Sequence, residues 1–272
     1  MPFHVPILAV IGHKHSGKTT VVENLVSELT KMGLNVASAK HISKKGFIFD
    51  AEGKDTWRHS AAGANPVIAV SYRETIIKTR NGDATVTLEK LTKVSEENGA
   101  HILILEGFSY IALKDKKVGK IICLRDKDEY DEYKKKTEGE ILAYCSIQPF
   151  EEKILDIKEN LSVIMKKVIA FIEKTRRIME IYKQLAGLDC RKCGKDSCWD
   201  LAEAIFREES KLDDCFLLRV KSKLKVTLKV GGSEVPIQPF VAEIIQKTIL
   251  GLVSALKGID IKGNEQIYIN IT

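Results

Sequence analysis

The sequence lacks any apolar run long enough to cross a bilayer. Its longest candidate, 249–256, is short and is flanked by Lys247 and Lys257, whereas a membrane-spanning helix needs about 20 predominantly apolar residues. The apolar stretch near the N-terminus leads into a glycine-rich loop and not into the small-residue cleavage site of a signal peptide. We therefore expect a soluble cytoplasmic protein with no membrane partner.

A strong excess of one charge is also absent. The 43 Lys and Arg residues against 37 Asp and Glu residues give a net charge of +6, which suits anionic ligands such as phosphates. This excess is too small and too dispersed to indicate a nucleic-acid partner, so we predict none. Internal repeats and low-complexity tracts are missing as well, and a hydrophobic content of 44% is ordinary for a globular protein with a real core.

The first part of the chain alternates strands and helices. Short apolar segments predict strands at 5–11, 34–40, 102–105 and 119–124. After the first of these strands, apolar residues in 19–32 recur at helical spacing, and Gly33 follows as a stop signal. This alternation predicts βαβ units in an α/β fold with a mainly parallel sheet, and fully apolar strands fit a sheet covered on both faces.

A phosphate-binding loop is predicted between the first strand and the first helix. Residues 12–19, GHKHSGKT, fit the pattern G-x-x-x-x-G-K-[ST] of P-loop NTPases, in which glycines let backbone N–H groups wrap the phosphates. Lys18 is expected to reach the β- and γ-phosphates and the Thr19 hydroxyl to ligate Mg²⁺. The alternative is a glycine turn that caps a helix. The predicted nucleotide-binding residues of this loop are Gly12, His15, Ser16, Gly17, Lys18, Thr19 and Thr20.

Carboxylates after two other segments are candidate Mg²⁺ ligands. The strand at 102–105 ends in Glu106, where a P-loop protein holds its second Mg²⁺ contact directly or through water, although a turn cap is the alternative. We predict Lys18 and Glu106 as the catalytic residues. Asp55 could also approach Mg²⁺, but capping of the helix that follows it is an equally good account. Lys40 ends the second strand, at the edge where ligands bind in open α/β sheets.

Four of the six cysteines are clustered, with the spacing Cys190-x2-Cys193-x4-Cys198-x16-Cys215. In a reducing compartment such a cluster indicates a metal rather than disulfides. Three cysteines crowded into one short loop favour a [4Fe–4S] cluster, with structural zinc and unliganded thiols as the alternatives. The remaining pair, Cys123 and Cys145, lies in apolar segments and is expected to consist of core thiols.

The second part of the chain predicts further segments. The highly charged stretch 130–140 predicts a loop or lid, and helical periodicity runs from 159 to about 187. The tail has strand patterns at 225–230 and 266–271 and an apolar helix pattern at 241–256. We therefore predict a P-loop domain at 1–158, a helix plus four-cysteine module at 159–218, and a small α+β tail at 219–272.

Several further segments resemble the molybdopterin-guanine dinucleotide biosynthesis protein B (MobB) family. They are AKH at 39–41, Asp50, GKDT at 53–56, AAGA at 61–64, ILEGF at 104–108, and the strand 120–124 closed by Arg125 and Asp126. The resemblance is collinear over about 5–128. It implies a P-loop fold, GTP binding with slow hydrolysis, and a homodimer. It also implies an accessory role beside the nucleotidyltransferase that attaches a guanine nucleotide to molybdopterin.

The residues by themselves do not show that the bound base is guanine. The N-K-x-D motif with which GTPases read the base is absent from the sequence. Arg125 and Asp126 follow a late strand, at the edge of the sheet where a base could be read, and Asp126 or Asp128 could accept hydrogen bonds from guanine N1–H and N2–H. An exposed charged turn is the alternative, and the resemblance to MobB is what favours GTP over ATP.

The cysteine segment carries a second resemblance. Residues 185–216 resemble the small four-cysteine iron–sulfur module of corrinoid iron–sulfur proteins and of a ferredoxin-like subunit in Rnf-type electron-transfer complexes. This module lies outside the usual MobB pattern. Three hypotheses follow: a cluster-bearing GTP-binding accessory protein of molybdenum or tungsten cofactor synthesis, a nucleotide-dependent metallocentre assembly or reductive-activation factor with a redox partner, or a nucleotide-sensing scaffold with a structural metal.

Overall fold

The computed structural model describes residues 3–44, 46–80, 86–221, 226–254, 256 and 267–269. The chain divides into two compact units, Met1–Glu173 and Lys174–Thr272. The three segments predicted from the sequence, with boundaries after residues 158 and 218, stay a prediction. Among the described residues, every helix is too short or too polar to span a membrane.

The first unit alternates strands and helices as the sequence predicts. Its strands are β1 Ile7–Gly12, β2 Val36–Lys40, β3 Val67–Val70, β4 Thr75–Lys78, β5 Ile102–Glu106, β6 Gly119–Cys123, β7 Ile141–Ser146 and β8 Leu155–Asp156. Its helices are α1 Lys18–Lys31, α2 Asp55–Ala61, α3 Leu88–Glu97, α4 Ser109–Ala112 and α5 Lys127–Lys136. The boundary between the units falls within a further helix, α6 Leu161–Gln184.

The central sheet confirms the predicted α/β class with parallel strands. Within the described residues it has six strands in the order β2-β5-β1-β6-β7-β8, and every neighbouring pair is parallel. A separate antiparallel hairpin consists of β3 and β4. This is the strand order of a P-loop fold. In it, β1 lies between β5, which ends at Glu106, and β6, which is followed by Arg125 and Asp126.

The core lies on both faces of this sheet. Successive residues of a strand point to opposite faces, and Leu8 and Val10 of β1 accordingly join one apolar cluster while Ile7 and Ala9 join another. The first cluster also takes the apolar face of α1, formed by Val21, Val22, Leu25 and Leu29. The predicted helix at 19–32 and the apolar strands are therefore confirmed. Double coverage explains why the strands read as continuous apolar runs.

The charged segment predicted as a loop or lid at 130–140 is instead mostly helix α5, so this prediction is wrong. Asp126 caps the helix by accepting a hydrogen bond from the Glu129 N–H at 2.9 Å. Tyr130 and Tyr133, three residues apart, are buried in the cluster on one face of the sheet. Their spacing puts them on one helical face, and the many charges on the exposed face hid this amphipathic pattern.

The second unit contains α7 Cys198–Phe206, a short 3₁₀ turn Leu212–Asp214, α8 Phe216–Lys221, the hairpin β9 Leu228–Val230 and β10 Ser233–Val235, and α9 Pro239–Ser254. The predicted strand at 225–230 and helix at 241–256 correspond to β9 and α9. The predicted strand at 266–271 falls mostly outside the described residues, and the three that are described, 267–269, have no strand assignment.

Candidate nucleotide and iron–sulfur sites

The loop between β1 and α1 has room for glycine alone at two positions. A Cβ on Gly12 would lie 2.2 Å from the carbonyl oxygen of Cys123, and one on Gly17 would lie 2.6 Å from Ile157 Cδ1. Gly17 also has a φ of 88°, in the left-handed region that side chains disfavour. Glycine at both positions therefore permits the tightly packed backbone turn that a phosphate-binding loop uses.

Polar groups of this loop fit a phosphate ligand. Ser16 Oγ is buried and, among the described residues, has no hydrogen-bond partner, although buried hydroxyls are normally paired. Lys18 Nζ is half-buried and donates to the carbonyl oxygen of His13 at 2.5 Å. The first turn of α1 has no acidic residue, so the positive end of the helix is not neutralised. The residues present therefore suit the phosphate oxygens of a nucleotide.

The remaining predicted loop residues occupy exposed positions. His15 lies in the loop with a φ of 63°, and Thr20 lies in the first turn of α1. His13 contacts α5, because its ring centroid lies 5.6 Å from that of Tyr133 and its Nε2 lies 3.5 Å from Glu132. The nucleotide-binding roles of His15 and Thr20 stay predictions.

Thr19 and Glu106, the two predicted Mg²⁺ ligands, are in direct contact. Thr19 Oγ1 donates to Glu106 Oε1 at 2.7 Å, and the Glu106 side chain is mostly buried. Parallel pairing places the carboxyl ends of β1 and β5 side by side, with Val10 opposite Glu106. Hydroxyl and carboxylate oxygens are the donors that Mg²⁺ uses together with phosphates. This pair therefore fits a Mg²⁺ ion, and its role as a metal site stays a proposal.

Lys40 joins this pair, and sequence reasoning had placed it only at the ligand edge of the sheet. Its Nζ lies 2.8 Å from Glu106 Oε1 and 3.5 Å from Thr19 Oγ1. The register of β2 on β5 puts Lys40 directly opposite Glu106. This contact follows from the pairing of β2 with β5. The sequence did not predict it, because the sequence pattern does not give the order of the strands in the sheet.

Asp55 follows Lys54, the N-cap residue of α2, and so does not itself occupy the capping position. It is the first residue of α2, where a carboxylate stabilises the positive end of the helix dipole. Among the described residues, no hydrogen bond or ion pair joins it to Thr19 or Glu106. The neighbouring Asp50 binds Lys78 at 3.0 Å, and this hydrogen bond lowers the pKa of the Asp50 carboxyl. Metal binding by Asp55 stays a prediction.

Arg125 and Asp126 both bind residues at the start of α5. Arg125 Nε donates to Glu129 Oε1 at 2.5 Å, and hydrogen bonding to Glu129 raises the pKa of the guanidinium. Asp126 uses Oδ1 to cap the helix. Because β6 pairs with β1, the two residues follow a strand that neighbours the phosphate loop. Asp128 is exposed in the first turn of α5. A role in reading guanine stays a prediction.

The four clustered cysteines lie in one apolar cluster of the second unit. Cys198 and Cys215 are buried and Cys190 and Cys193 are half-buried, and all four pack with Trp199 and its neighbours. Positive φ angles at Asp189, Arg191 and Gly194 curl the loop that carries the first cysteines. Ser197 caps α7 by accepting the Asp200 N–H, which places Cys198 at the start of that helix.

The chemistry of these side chains fits an iron–sulfur cluster. Four cysteine sulfurs are the usual ligands of such clusters, and apolar surroundings bury two of them, Cys198 and Cys215. Burial raises the pKa of the Cys198 thiol. Among the described residues, no three metal-binding side chains converge on one point. The four cysteines therefore stay the predicted ligand set, on their spacing and their shared apolar cluster. The two buried thiols outside that cluster, Cys123 and Cys145, lie in the core of the first unit as predicted.

The parallel sheet, the glycine loop and the Thr19–Glu106 contact define the first unit as a P-loop fold of the NTPase class. A family model described as "Molybdopterin guanine dinucleotide synthesis protein B" matches residues 7–146, more than half of the chain. The chain therefore belongs to the MobB family. A second model, described as "Putative Fe-S cluster", matches residues 185–216, the segment in which the sequence predicts the cluster.

The chain is similar to individual proteins and to a solved structure. A Methanocaldococcus jannaschii protein named "Putative molybdopterin-guanine dinucleotide biosynthesis adapter protein" is 29% identical over 98% of both chains. The Haemophilus influenzae adapter protein is 31% identical over 56% of this chain and 82% of its own. A crystal structure of Bacillus subtilis MobB is 23% identical, with a TM-score of 0.49, and covers 61% of this chain and 98% of that one. The alignment with the Methanocaldococcus jannaschii protein thus extends along both units of this chain.

Proposed function

We propose that this protein is a GTP-binding accessory protein of molybdopterin-guanine dinucleotide biosynthesis that hydrolyses GTP slowly and carries a [4Fe–4S] cluster. The observation that carries the proposal is the phosphate loop of a MobB-family chain, with a Thr19–Glu106 contact beside it. Its proposed partner is the nucleotidyltransferase that attaches the guanine nucleotide to molybdopterin. The names of the adapter relatives support this pathway.

The residues of the loop divide the work of holding the nucleotide. Backbone N–H groups and Lys18 neutralise the phosphates, and Thr19 and Glu106 hold Mg²⁺. A bound Mg²⁺ draws negative charge from the terminal phosphate. Glu106 orients the Thr19 hydroxyl through their 2.7 Å hydrogen bond, in which the carboxylate accepts the proton and leaves the hydroxyl lone pairs for the metal. Burial of Glu106 keeps this geometry in place.

Replacing Glu106 by glutamine should slow Mg²⁺-dependent hydrolysis roughly ten- to hundredfold while weakening nucleotide binding less. The amide keeps the size of the side chain and removes the charge that holds the metal. Turnover and binding affinity measured on the same variant test this. The matched control is Glu28→Gln, near the C-terminal end of α1, where Glu28 pairs with Lys31. Full turnover in Glu106→Gln would contradict the proposed role of Glu106 in holding Mg²⁺.

The base is proposed to be guanine, with Asp126 as its reader. Titration of the wild-type protein with GTP and ATP in the presence of Mg²⁺ tests the choice of base, and GTP is expected to bind more tightly. Asparagine caps a helix as well as aspartate does, so Asp126→Asn should leave the free energy of unfolding unchanged while lowering GTP affinity roughly tenfold. Unchanged GTP affinity in this variant would assign Asp126 to capping alone.

The hairpin of β3 and β4 supports the proposed homodimer. Its two strands are antiparallel, and they expose four large apolar side chains to solvent. These are Ile68, Val70, Ile76 and Ile77. The register puts Ile68 opposite Ile77, with Val70 on the same face, whereas Ile76 lies opposite Ala69 on the other face. Exposed apolar side chains grouped on one face of a hairpin are typical of protein–protein contacts. A sedimentation mass of twice 30.4 kDa is expected, and a monomer at micromolar concentration would contradict the dimer.

The iron–sulfur segment favours one alternative function. The Haemophilus influenzae relative aligns over 56% of this chain and the Escherichia coli relative over 45%. The segment matched by the iron–sulfur family model, 185–216, lies in the second unit of this chain. A nucleotide-driven metallocentre assembly or reductive-activation factor would use such a cluster to deliver electrons to a redox partner. Loss of molybdopterin-guanine dinucleotide on deletion supports the accessory role, and a normal level of it supports the alternative.

A further inference from the structure

The ion pair between Lys40 and the Glu106 carboxylate has no role in the nucleotide chemistry proposed above. Glu106 Oε1 is shared by two donors, the Lys40 ammonium at 2.8 Å and the Thr19 hydroxyl at 2.7 Å. The Glu106 side chain is 11% exposed, whereas that of Lys40 is 56% exposed. The Glu106 carboxylate is therefore held in place by its buried surroundings. The Lys40 side chain extends from the edge strand β2 and, being largely exposed to solvent, can change its conformation.

A bound Mg²⁺ would change the charge balance at this contact. Thr19 and Glu106 supply the oxygen donors that fit the ion, and Lys40 Nζ lies within 3.5 Å of both donor oxygens. A divalent cation there would place like charges at ion-pair distance, where repulsion is strong in a partly buried site. Lys40 then needs a new anionic partner. Lys18, the lysine of the phosphate loop that precedes Thr19, donates to the His13 carbonyl and, among the described residues, makes no hydrogen bond or ion pair with Glu106.

The terminal phosphate of a nucleoside triphosphate is the anion that arrives together with Mg²⁺ in a P-loop site. We propose that Lys40 exchanges Glu106 for this phosphate when Mg²⁺ and a nucleoside triphosphate bind, and that it thereby distinguishes triphosphate from diphosphate. Without nucleotide the ammonium neutralises Glu106. With a diphosphate bound, the released lysine finds no terminal phosphate, so it opposes the metal at Glu106. This role rests on the proposed nucleotide-binding function.

A purely structural ion pair makes a different prediction. In that case Lys40 would only hold the end of β2 against β5, where it lies opposite Glu106. Its removal would lower the free energy of unfolding and leave the relative affinities for triphosphate and diphosphate unchanged. The ratio of the two affinities is therefore the quantity that separates the two roles.

The test uses Lys40→Met in the full chain, with GTP and GDP titrated at several Mg²⁺ concentrations. The preference for GTP over GDP is expected to fall at least about tenfold, because one charge-assisted hydrogen bond to phosphate is lost. The Mg²⁺ concentration that half-saturates GDP binding is expected to fall, since the competing cation at Glu106 is gone. Lys40→Gln, which keeps a polar side chain at the edge strand, should give the same two changes, and Lys40→Arg should retain the preference.

The matched control is Lys31→Met, which removes the same charge from an exposed lysine that pairs with Glu28 on α1. It should leave both the preference and the Mg²⁺ dependence unchanged. An unaltered GTP preference in folded Lys40→Met and Lys40→Gln would overturn the role of Lys40 while the proposed function stands. Failure of the wild-type protein to bind GTP at all would overturn both.

Discussion

Replacing any one of Cys190, Cys193, Cys198 and Cys215 by serine is expected to abolish the iron–sulfur cluster. A [4Fe–4S] cluster needs a thiolate at each iron, and a hydroxyl in an apolar cluster is a poor substitute. Two of the four cysteines are buried and all four pack into the same group of side chains. No spare cysteine occurs in the second unit to replace a lost ligand. The loss should therefore be complete rather than partial.

The measurement is the iron and sulfide content of protein purified without oxygen. The wild-type chain should be brown and hold about four irons, and each Cys→Ser variant should lose them. Lys192 and Lys195 lie between the ligands, and their charge should raise the reduction potential of the cluster. The matched control is Cys145→Ser, since Cys145 is buried beside Cys123 in the first unit with the two sulfurs 3.6 Å apart. That variant should keep its iron.

Zinc provides the opposing result. Protein reconstituted anaerobically with iron, sulfide and zinc present together is expected to take up the cluster. Stoichiometric zinc without iron would contradict the cluster and would favour a structural scaffold, because zinc at four thiolates has no redox chemistry. An iron-containing protein whose cluster cannot be reduced would keep the cluster and exclude the electron-delivering alternative.

Replacing Lys18 by alanine is expected to remove most triphosphate binding, by roughly a hundredfold or more in the dissociation constant. In the proposed function Lys18 is the cation that neutralises the β- and γ-phosphates, and in the structure its Nζ donates to the His13 carbonyl of the same loop. It belongs to neither apolar cluster of the sheet. The fold should therefore survive while the site loses its main positive charge.

Isothermal titration with GTP and Mg²⁺ measures this loss, and thermal unfolding checks the fold. Lys31→Ala is the matched control, because Lys31 lies at the far end of the same helix and pairs with Glu28. Its affinity for GTP should equal that of the wild type. If folded Lys18→Ala bound GTP as tightly as the wild type does, the loop at 12–19 would have to be read as a glycine turn that starts a helix.

Local patterns predicted the parts of the fold that depend on local order. The apolar face of α1 was readable because its burial follows the 3.6-residue period. The strands β1, β5 and β6 were readable because both of their faces are covered and their residues are apolar throughout. Helix α5 was misread because its two buried tyrosines are surrounded by charged residues on the exposed face. The high charge content of this segment suggested a loop, whereas the spacing of the two tyrosines indicated the helix that the structure has.

The sequence by itself determined the phosphate loop, the carboxylate at the end of β5 and the four-cysteine spacing, because each is a short pattern whose chemistry lies in neighbouring residues. Tertiary structure alone decided which of these groups meet. Strand order brings Lys40 of β2 opposite Glu106 of β5, and Gly12 against the Cys123 carbonyl of β6. These partners are many residues apart in the chain. Parallel neighbours are joined by crossover connections of variable length, so no local spacing records which strands pair.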